Sequence, residues 1–370
     1  MGVPEYDVLI AGASFAGLAV VRSLVGGDGP CCRVLLVDRK PVGEGQTSAC
    51  AAPVSLVRRM GAAGSILQEH PYLVLHTASG SQRWVLPEPF CTFDYRRFCL
   101  DSLHGLDVAV KVLRVHGREG TEVLTPHGRI KAQFLVDCTG WRAALAGPGR
   151  PARVPRTRWW MAFGLETEIR YELPPGLHFY FVPEVPKGYA WAFPCGGTVR
   201  FGVLRYLGGS PVYPSHLLRE GRLLRTLERF LKRFGLRPSS QVHGGFLGGG
   251  LRPPLQDRIF FVGDSAGHCL PLSGEGIRTA VQAGWLCGTL LRKILEGQLE
   301  LEDAQRVYSG FVAQQRWRYR ILQWFERVVI LLSPGSLDFV VRIACRMGFD
   351  HVFLSHYFAL FQGPDSKDSV

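Results

Sequence analysis

Residues 6–24 have the sequence YDVLIAGASFAGLAVVRSL, and this stretch decides the fold. The apolar residues 8–11 predict a buried strand, and the apolar pattern after the glycines predicts a helix. Between them, Gly12 and Gly17 take the first and third glycine positions of the G-x-G-x-x-G template, and Ser14 takes the middle one. The first glycine permits a tight turn and the third permits close helix–strand packing. A small middle residue lets a pyrophosphate approach backbone N–H groups.

A second apolar segment, residues 32–40, contains the next predicted strand and carries Asp38 near its end. Asp38 follows Gly17 by 21 residues, the distance at which an acid accepts hydrogen bonds from a ribose hydroxyl group. This order of elements predicts a Rossmann-type dinucleotide-binding unit; a plain βαβ unit without a ligand is the alternative. The predicted cofactor contacts in this unit are Gly12, Ser14, Phe15, Ala16, Gly17, Asp38 and Arg39.

Residues 259–285, IFFVGDSAGHCLPLSGEGIRTAVQAGW, repeat the order of strand, glycine-rich turn and helix. The loop carries one acid, Asp264, and then Pro271 ahead of the glycines. A helix that begins in this way presents unpaired N–H groups and a positive dipole end to an anionic or electron-rich ligand atom. The alternative is an ordinary strand-to-helix turn with an aspartate near its cap.

A third glycine turn follows an apolar run at 135–140, where Asp137 and Gly140 lie at a predicted carboxyl end of the sheet. Three such strand ends, 12–17, 137–140 and 263–276, are separated by a strand-rich insertion. A nicotinamide site does not require the third turn. FAD is longer and carries a flavin that must be shielded, so it would use all three. We therefore predict FAD as the cofactor.

The insertion is rich in aromatic and β-branched residues separated by Gly and Pro, which predicts an antiparallel sheet over 159–208. Within GYAWAFP, the alternation of Tyr189, Trp191 and Phe193 puts three aromatic side chains on one face. That face either packs against the rest of the protein or forms the wall of an apolar pocket.

The predicted fold class is α/β: a Rossmann-type FAD-binding domain with an inserted, mainly antiparallel β substrate domain and a C-terminal helical tail. The predicted segments are 1–75, 94–145 and 243–300 for FAD binding, 76–93 and 146–242 for the substrate, and 301–370 for the tail. In the tail, residues 316–346 combine six arginines with many apolar residues against only one Glu and one Asp. Basic amphipathic helices on an anionic membrane have this composition, and so does a helical pair packed on the protein.

The formal charge of +12 indicates an anionic partner, either a phosphorylated cofactor or an acidic membrane surface. No RNA-binding signature supports nucleic acid. The ten cysteines show neither a CxxC pair nor zinc spacing, so we expect free thiols, no metal and a cytoplasmic protein. No uncharged apolar window is long enough to span a bilayer, which leaves peripheral membrane association as the alternative.

Three motifs together resemble the FAD-dependent geranylgeranyl reductase family, within the larger flavoprotein group typified by aromatic hydroxylases. They are GASFAG at 12–17, GYAWAFP at 188–194 and GDSAGHCLPLSGEGI at 263–277. The resemblance implies transfer of a hydride from the N5 atom of reduced flavin to carbon–carbon double bonds of a polyprenyl chain, on a lipid or a quinone. NADPH, NADH and ferredoxin all remain open as the reductant, and the sequence does not indicate an oligomeric state.

The resemblance also implies roles for individual residues. Asp264 would hold a ribityl hydroxyl group, and Arg96 would contact the cofactor from its helix. The flavin ring would lie along Pro271 and the turn that contains Gly274, Gly276 and Ile277, and Gly263 would also bind the cofactor. Tyr189, Trp191 and Phe193 would line a substrate tunnel, and Cys50 would be a proton donor or a flavin neighbour. Two departures from the family weaken the matches at Cys50 and Asp137: Ala51-Ala52 replaces two glycines after the cysteine, and Asp-Cys-Thr-Gly replaces Asp-Gly. A small buried cysteine is the alternative for Cys50.

Two other functions fit the same fold. The first is an FAD-dependent monooxygenase, either an aromatic hydroxylase or a halogenase, acting on a hydrophobic substrate. The halogenase lysine expected after the first βαβ unit has no candidate, because no lysine lies between Lys40 and Lys111. The second is a non-redox flavoprotein, either a cyclase or a membrane-docked flavin-binding protein without turnover.

Overall fold

The computed structural model describes residues 5–26, 32–147, 161–207, 221–248 and 250–362. Strands β1 to β16 are Tyr6–Ala11, Val34–Asp38, Ala51–Pro53, Ile66–Thr77, Gly80–Phe93, Ala109–Val112, Gly117–Glu119, Glu122–Thr125, Gly128–Asp137, Met161–Arg170, Leu177–Tyr180, Gly188–Pro194, Thr198–Tyr206, Val242–Gly248, Leu255–Gln256 and Ile259–Phe261. Helices α1 to α9 are Phe15–Val25, Val54–Arg59, Tyr95–Leu103, Arg222–Lys232, Ile277–Leu295, Leu301–Ala313, Arg316–Leu331, Pro334–Arg346 and Phe349–Phe358.

The first sheet is a Rossmann-type sheet with a parallel centre. Its strand order is β15-β16-β9-β1-β2-β6, and β7 and β8 extend it as antiparallel strands beside β9. Strands β16, β9, β1, β2 and β6 run parallel, so the glycine turns that follow β1, β9 and β16 meet at one edge. Residues 8–11 of β1 are fully buried because both faces of a parallel sheet are covered.

Helices α1 and α5 pack against each other through small residues. A Cβ atom added to Gly284 would lie 2.6 Å from the carbonyl oxygen of Ala16. One added to Gly288 would lie 2.1 Å from Ser23 Oγ. Only glycine permits such an approach, and it holds the first turn of α1 against Gly284 in the third turn of α5.

The second sheet has the order β14-β10-β13-β12-β11-β4-β5-β3 and is antiparallel except between β11 and β4. Strands β3 and β14 and residues 66–75 lie in this sheet, although the predicted FAD-binding segments include them. The register of β4 shifts between His70 and Tyr72, which interrupts the alternation. Strand β14 carries Gly244, whose added Cβ atom would lie 2.2 Å from the Gly164 carbonyl oxygen, so glycines here serve close packing and not a turn.

The two faces of the second sheet have different partners. Ala190 and Ala192 of β12 face helix α4, in a core that also contains Leu227 and Phe230. The alternate residues Tyr189, Trp191 and Phe193 join the main core, which also contains α1 and α5. The prediction that these three aromatic residues share a face is confirmed, and we call that face the aromatic face.

The C-terminal helices pack on the rest of the molecule. Tyr308 of α6 donates a hydrogen bond to the carbonyl oxygen of Phe261 at 2.9 Å. Tyr319 of α7 donates one to the carbonyl oxygen of His268 at 2.5 Å. In the described part of the chain, no helix is long and apolar enough to cross a membrane.

Candidate active site

The 12–17 turn has the steric need for glycine that its motif predicts. Gly12 has φ +108°, and a Cβ atom added to it would lie 2.2 Å from the Cys138 carbonyl oxygen. One added to Gly17 would lie 1.9 Å from the carbonyl oxygen of Gly12. The turn is therefore closed so tightly that it leaves no room for a side chain at either position.

Helix α1 begins without a side-chain cap. Its N-cap residue Ser14 makes no capping hydrogen bond, and its first turn contains no acid. The N–H groups of the first turn are therefore available to an anion, as a pyrophosphate site requires. Ser14 Oγ instead accepts a hydrogen bond from the Tyr95 hydroxyl at 3.2 Å, while Phe15 packs edge-on to Phe93. The sequence did not single out Tyr95.

Asp38 lies at the end of β2, beside this turn. Its Oδ2 accepts a hydrogen bond from the Ala13 N–H at 2.8 Å, and its Oδ1 accepts one from the Lys40 N–H at 3.1 Å. Arg39 is exposed next to it. Arg96 is exposed in the first turn of α3, where the loop at Gly43 lies against its backbone. These residues form a polar rim that could contact a ribose or a phosphate.

Asp137 serves its own loop. Its Oδ1 accepts hydrogen bonds from Thr139 N at 2.9 Å and Thr139 Oγ1 at 2.7 Å, and its Oδ2 accepts one from Leu145 N at 2.7 Å. Burial raises the pKa of this carboxyl, and these hydrogen bonds oppose that rise. Gly140 follows with φ +81°. In this arrangement Asp137 orders the turn beside the site, and its predicted direct contact with the cofactor remains a prediction.

Asp264 lies in the short turn Gly263–Ser265, and a Cβ atom added to Gly263 would be 3.1 Å from Ala16 Cβ. Among the described residues, none donates a hydrogen bond to its carboxylate. Burial raises its pKa to about 6, and Arg252 opposes that rise. Asp264 is thus a largely desolvated acid without a protein hydrogen-bond donor, as expected for a group that binds a ligand hydroxyl.

Arg252 is a residue of this site that the sequence reasoning missed. Its Nη1 donates to the Trp141 carbonyl oxygen at 2.7 Å, and its charge acts on both Asp137 and Asp264. Its Nε is buried and has no hydrogen-bond partner within the described ranges. In the sequence, Arg252 follows a glycine-rich segment and precedes two prolines, and this context does not predict a functional residue. Its position follows only from the packing of residues 250–253 against 266–267.

Residues 271–277 are held from two sides, and we call them the flavin loop because the family resemblance predicts that a flavin ring lies along them. Leu272 has φ +70° and Gly274 has φ +68°. The hydroxyl groups of Tyr206 and Tyr189 donate to the carbonyl oxygens of Leu272 and Ser273. From the other side, Tyr357 of α9 shares a 2.6 Å hydrogen bond with Ser273 Oγ.

The flavin loop ends in a second uncapped helix start. Gly276 is the N-cap of α5 and supplies no side-chain hydrogen bond, and the first turn from Ile277 contains no acid. Asp264 Oδ1 lies 3.7 Å from the position of a Cβ atom added to Gly276. Pro271 is buried where the loop begins. Asp264 and the free N–H groups of α5 therefore face the same space.

Behind the flavin loop, Arg278 anchors α5 to the C-terminal segment. Its guanidinium pairs with Glu275 at 2.8 Å and donates to the Leu360 carbonyl oxygen at 2.5 Å. Arg278 is 4% exposed, so these bonds are shielded from water. The C-terminal segment is thereby tied to the start of α5.

The aromatic face carries a buried acid that the sequence reasoning did not select. Trp191 Nε1 donates to Glu166 Oε2 at 2.7 Å, and His243 Nε2 lies 3.1 Å from Glu166 Oε1. The indole ring lies over Gly202, where an added Cβ atom would be 2.0 Å from a ring carbon. Trp191 is therefore fixed in place, with its ring forming part of the apolar surface next to Tyr189 and Phe193.

Cys50 is fully buried and has φ +51°. Its Sγ donates to the Ser48 carbonyl oxygen at 3.3 Å. Arg200 lies beside it and donates to the carbonyl oxygens of Ala49 and Phe93 at 3.1 and 3.0 Å. Burial raises the pKa of the thiol well above its ordinary value, although Arg200 opposes the rise. At neutral pH Cys50 is a thiol and not a thiolate.

The residues that converge here fit a long dinucleotide such as FAD. They supply the uncapped N-termini of α1 and α5. They also supply Asp38 beside the 12–17 turn and Asp264, which has no hydrogen-bond donor among the described residues. Within the described ranges, no group of His, Cys, Asp and Glu side chains is arranged to hold a metal ion.

No family model matches the chain. A digeranylgeranylglycerophospholipid reductase from Methanococcus vannielii is 31% identical over 151 residues, a match that spans 38% of this chain and 34% of that relative. One from Methanococcus aeolicus is 24% identical over 90% of this chain and 89% of its own length. One from Methanothermobacter thermautotrophicus is 26% identical over 95% and 93%.

Among solved structures, a geranylgeranyl bacteriochlorophyll reductase-like protein from Thermoplasma acidophilum has a TM-score of 0.76, with 19% identity and 92% of both chains covered. The resemblance to the geranylgeranyl reductase family is confirmed. The names of these relatives also agree with the prediction of an oxidoreductase. A probable FAD-dependent monooxygenase from Pseudomonas aeruginosa is less similar, with a TM-score of 0.63, 17% identity and 88% of this chain covered. The geranylgeranyl bacteriochlorophyll reductase-like protein and the probable FAD-dependent monooxygenase thus share the fold of this chain, and the predicted fold class is confirmed.

Proposed function

We propose that this geranylgeranyl reductase-like chain binds FAD and reduces carbon–carbon double bonds of a polyprenyl chain carried on a lipid. The observation that carries the proposal is its similarity to digeranylgeranylglycerophospholipid reductases over most of both chains. The site agrees with it, because a dinucleotide cradle and an apolar aromatic face border the same loop. A polyprenyl quinone is the alternative substrate of the same class.

The cofactor would be held by groups spaced along its length. The α1 N-terminus would bind the pyrophosphate and Asp38 a ribose hydroxyl group. Asp264 would accept a hydrogen bond from the ribityl chain, and the N–H groups at the start of α5 would stabilise negative charge on the reduced ring. The bound flavin would supply the hydride. NADPH, NADH and ferredoxin remain the candidates for its reductant.

The aromatic face would bind the polyprenyl chain and exclude water from the reacting atoms. Tyr189, Trp191 and Phe193 are each less than a tenth exposed, and Phe179 packs against the first and third of them. Their phenol and indole donors are already bonded to protein acceptors, so the surface they offer is apolar. Such a surface suits a hydrocarbon chain and gives no recognition of polar groups.

Cys50 is proposed as a neighbour of the flavin that stays protonated. Cys50→Ser is expected to slow reoxidation of reduced flavin by substrate without releasing FAD. Stopped-flow absorbance measures the first and equilibrium titration the second. Cys287→Ser, which changes another buried cysteine, is the control. Unchanged kinetics in Cys50→Ser would return Cys50 to a packing role.

A lipid substrate requires access from a membrane, and we propose that helices α7 and α8 provide it. Their exposed faces present Trp317, Ile321, Trp324, Leu331, Phe339, Val340 and Ile343, with the exposed arginines Arg316, Arg320, Arg327, Arg342 and Arg346 among them. Apolar side chains enter the interface while arginines attract anionic headgroups. The enzyme would thus act as a peripheral protein at an anionic membrane.

Vesicle flotation tests this surface. Trp324→Glu should abolish flotation with anionic vesicles, because Trp324 is 58% exposed and a buried carboxylate opposes insertion. Val110→Glu changes an exposed residue of strand β6 in the first sheet and serves as the control. Equal flotation of both variants would contradict the proposal.

An anaerobic assay tests the reaction. Chemically reduced protein is mixed with digeranylgeranylglycerophospholipid, and the lipid is analysed by mass spectrometry. A gain of two hydrogens for each reduced bond, together with oxidation of the flavin, is the expected result. A lipid of unchanged mass beside flavin that stays reduced would reject the reductase.

A monooxygenase is the second candidate, and the flavin-dependent brominase and monooxygenase structures among the neighbours favour it. The same assay with oxygen present separates the two. A monooxygenase adds one oxygen atom to its substrate when oxygen is present and leaves the mass of the substrate unchanged when oxygen is absent. Purified protein that neither contains nor binds FAD would reject both.

A further inference from the structure

Helix α7 buries an acid at a position where its pattern calls for an apolar residue. Its buried residues are Tyr319, Leu322 and Glu326, at helical spacings of three and four. Glu326 is 2% exposed. A carboxyl group is rarely buried without a compensating cation, because losing its hydration disfavours the charged form. The position of Glu326 therefore calls for an explanation beyond packing.

Glu326 points to the flavin loop. Its Oε2 accepts a hydrogen bond from the Leu272 N–H at 3.4 Å. The titratable groups around it are Tyr189 of β12, Tyr206 of β13 and Cys269 of the segment that leads into the loop, and Arg327 lies on its own helix. Glu326 thus lies where the aromatic face, the flavin loop and the C-terminal helices meet.

The acidity of Glu326 suits proton donation. Burial raises its pKa to about 8, while the Leu272 N–H and Arg327 oppose the rise. A general acid works best when its pKa lies near the working pH, because it is then protonated and still gives up its proton readily. The Cys50 thiol, with a pKa well above its ordinary value, is a much weaker acid. Of these two protonated groups, the carboxylic acid is the better donor to an alkene.

We propose that Glu326 donates the proton that completes reduction of the double bond, an inference that rests on the proposed function. One carbon of the double bond takes the proton from the Glu326 carboxyl group, and the other takes the hydride that reduced flavin supplies. The π electron pair forms the new C–H bond to the proton. The substrate gains two electrons, the flavin loses two, and the Glu326 carboxylate takes a proton from water before the next turnover.

Glu326→Gln tests this role, because the amide keeps the shape of the side chain and an acceptor for Leu272 N–H. Single-turnover reoxidation of reduced flavin by the lipid should slow about 100-fold or more at neutral pH. FAD affinity should stay within about twofold of the wild type, since no cofactor contact is removed. Glu302→Gln, an exposed glutamate on helix α6, is the matched control and should change neither quantity.

The pH profile separates proton donation from a structural role. The wild-type rate should be highest below the pKa of Glu326 and fall as the pH rises through about 8, where the carboxyl group ionises. Glu326→Gln should lose this limb, and Glu326→Asp should keep one at a shifted pH. Infrared difference spectra of the protein without substrate should show a protonated carboxyl group that titrates near this pH and is absent from Glu326→Gln.

Either of two outcomes would overturn this proposal and leave the proposed function intact. The first is a Glu326→Gln variant with the wild-type rate and the wild-type fall in rate at high pH. The second is the absence of the titrating carboxyl band from the wild-type infrared spectra. A wild type that transfers no hydrogen to any polyprenyl lipid rejects the proposed function, and with it this inference. Because the infrared band does not depend on turnover, it shows in that case whether Glu326 is still a buried acid.

Discussion

The 12–17 turn and the flavin loop each lead from a strand into an uncapped helix, but they are stabilised in different ways. The 12–17 turn is shaped by its own glycines and by the Cys138 carbonyl group, which lies against Gly12. The flavin loop is held by hydroxyl groups of Tyr189, Tyr206 and Tyr357, which come from two other parts of the fold. The 12–17 turn should not tolerate a side chain at Gly12 or Gly17, whereas the flavin loop should respond to changes far away in the sequence.

The largest effect is expected from Gly12→Ala. The added methyl group would meet the Cys138 carbonyl oxygen at 2.2 Å, and φ +108° is strained for alanine. We expect loss of FAD binding and of most of the folded protein, measured by flavin absorbance and by yield of soluble protein. The control is Gly105→Ala, where φ is +75° but no atom lies within 4 Å of the new Cβ. That variant should lose only about 1 kcal/mol.

Next in size is the effect of Asp264→Asn on cofactor affinity. Replacing a charged acceptor by a neutral amide should weaken FAD binding about 10-fold to 100-fold, the usual worth of a hydrogen bond to a charged group. Isothermal titration measures the affinity. In contrast, Asp137→Asn should chiefly lower the melting temperature, because Asp137 holds its own loop. Equal losses of FAD affinity in Asp264→Asn and Asp137→Asn would contradict the different roles proposed for these two residues.

The same substitution should stabilise the protein without cofactor. Burial raises the folded-state pKa of Asp264 to about 6 from 3.8, so the folded state resists ionisation of this group. Below its unfolded pKa of 3.8, the Asp264 carboxyl group is protonated in both states and does not oppose folding. As the pH rises from about 4 to about 6, the unfolded state ionises more readily than the folded state, and the free energy of unfolding falls. Above this range, Asp264→Asn should gain about 1–2 kcal/mol after allowance for its partial exposure. Urea unfolding at pH 4 and pH 7 should show a gain only at the higher pH.

The smallest effect is expected from Tyr206→Phe. Loss of its hydrogen bond to Leu272 should loosen the flavin loop and weaken FAD binding a few-fold, at a stability cost of about 1 kcal/mol. Tyr308→Phe removes a hydrogen bond to Phe261 that does not involve the loop. It should cost similar stability with no change in FAD affinity. If Tyr308→Phe weakens binding equally, the loop is not held in the way described.

The residues that the sequence predicted correctly are those whose signal is local. The steric need for Gly12 and Gly17 follows from a six-residue motif, and the shared face of Tyr189, Trp191 and Phe193 follows from the period of a strand. The family resemblance drew on the same motifs. The need for Gly17 and the alternation of the aromatic residues depend on backbone geometry within a few residues, whereas the contact that excludes a side chain at Gly12 comes from Cys138.

The residues that the sequence could not reveal reach the site from a distance. Arg252 meets Asp264 through the packing of two glycine segments, and Arg200 reaches Cys50 from a strand about 150 residues later. Glu326 was visible only as one acid in a basic helix, so its burial could not be inferred without the contact of α7 with Leu272.

The bonds from Arg278 to the Leu360 carbonyl oxygen and to Glu275 have a consequence for the timing of synthesis. A nascent chain can form the first sheet's α1 turn early, but Arg278 and the flavin loop gain their last partners only when residues 357–360 have left the ribosome. Capture of the proposed cofactor is therefore expected late in synthesis. A product truncated before residue 357 should therefore lack the absorbance of bound flavin, and this absence can be measured before any assay of activity.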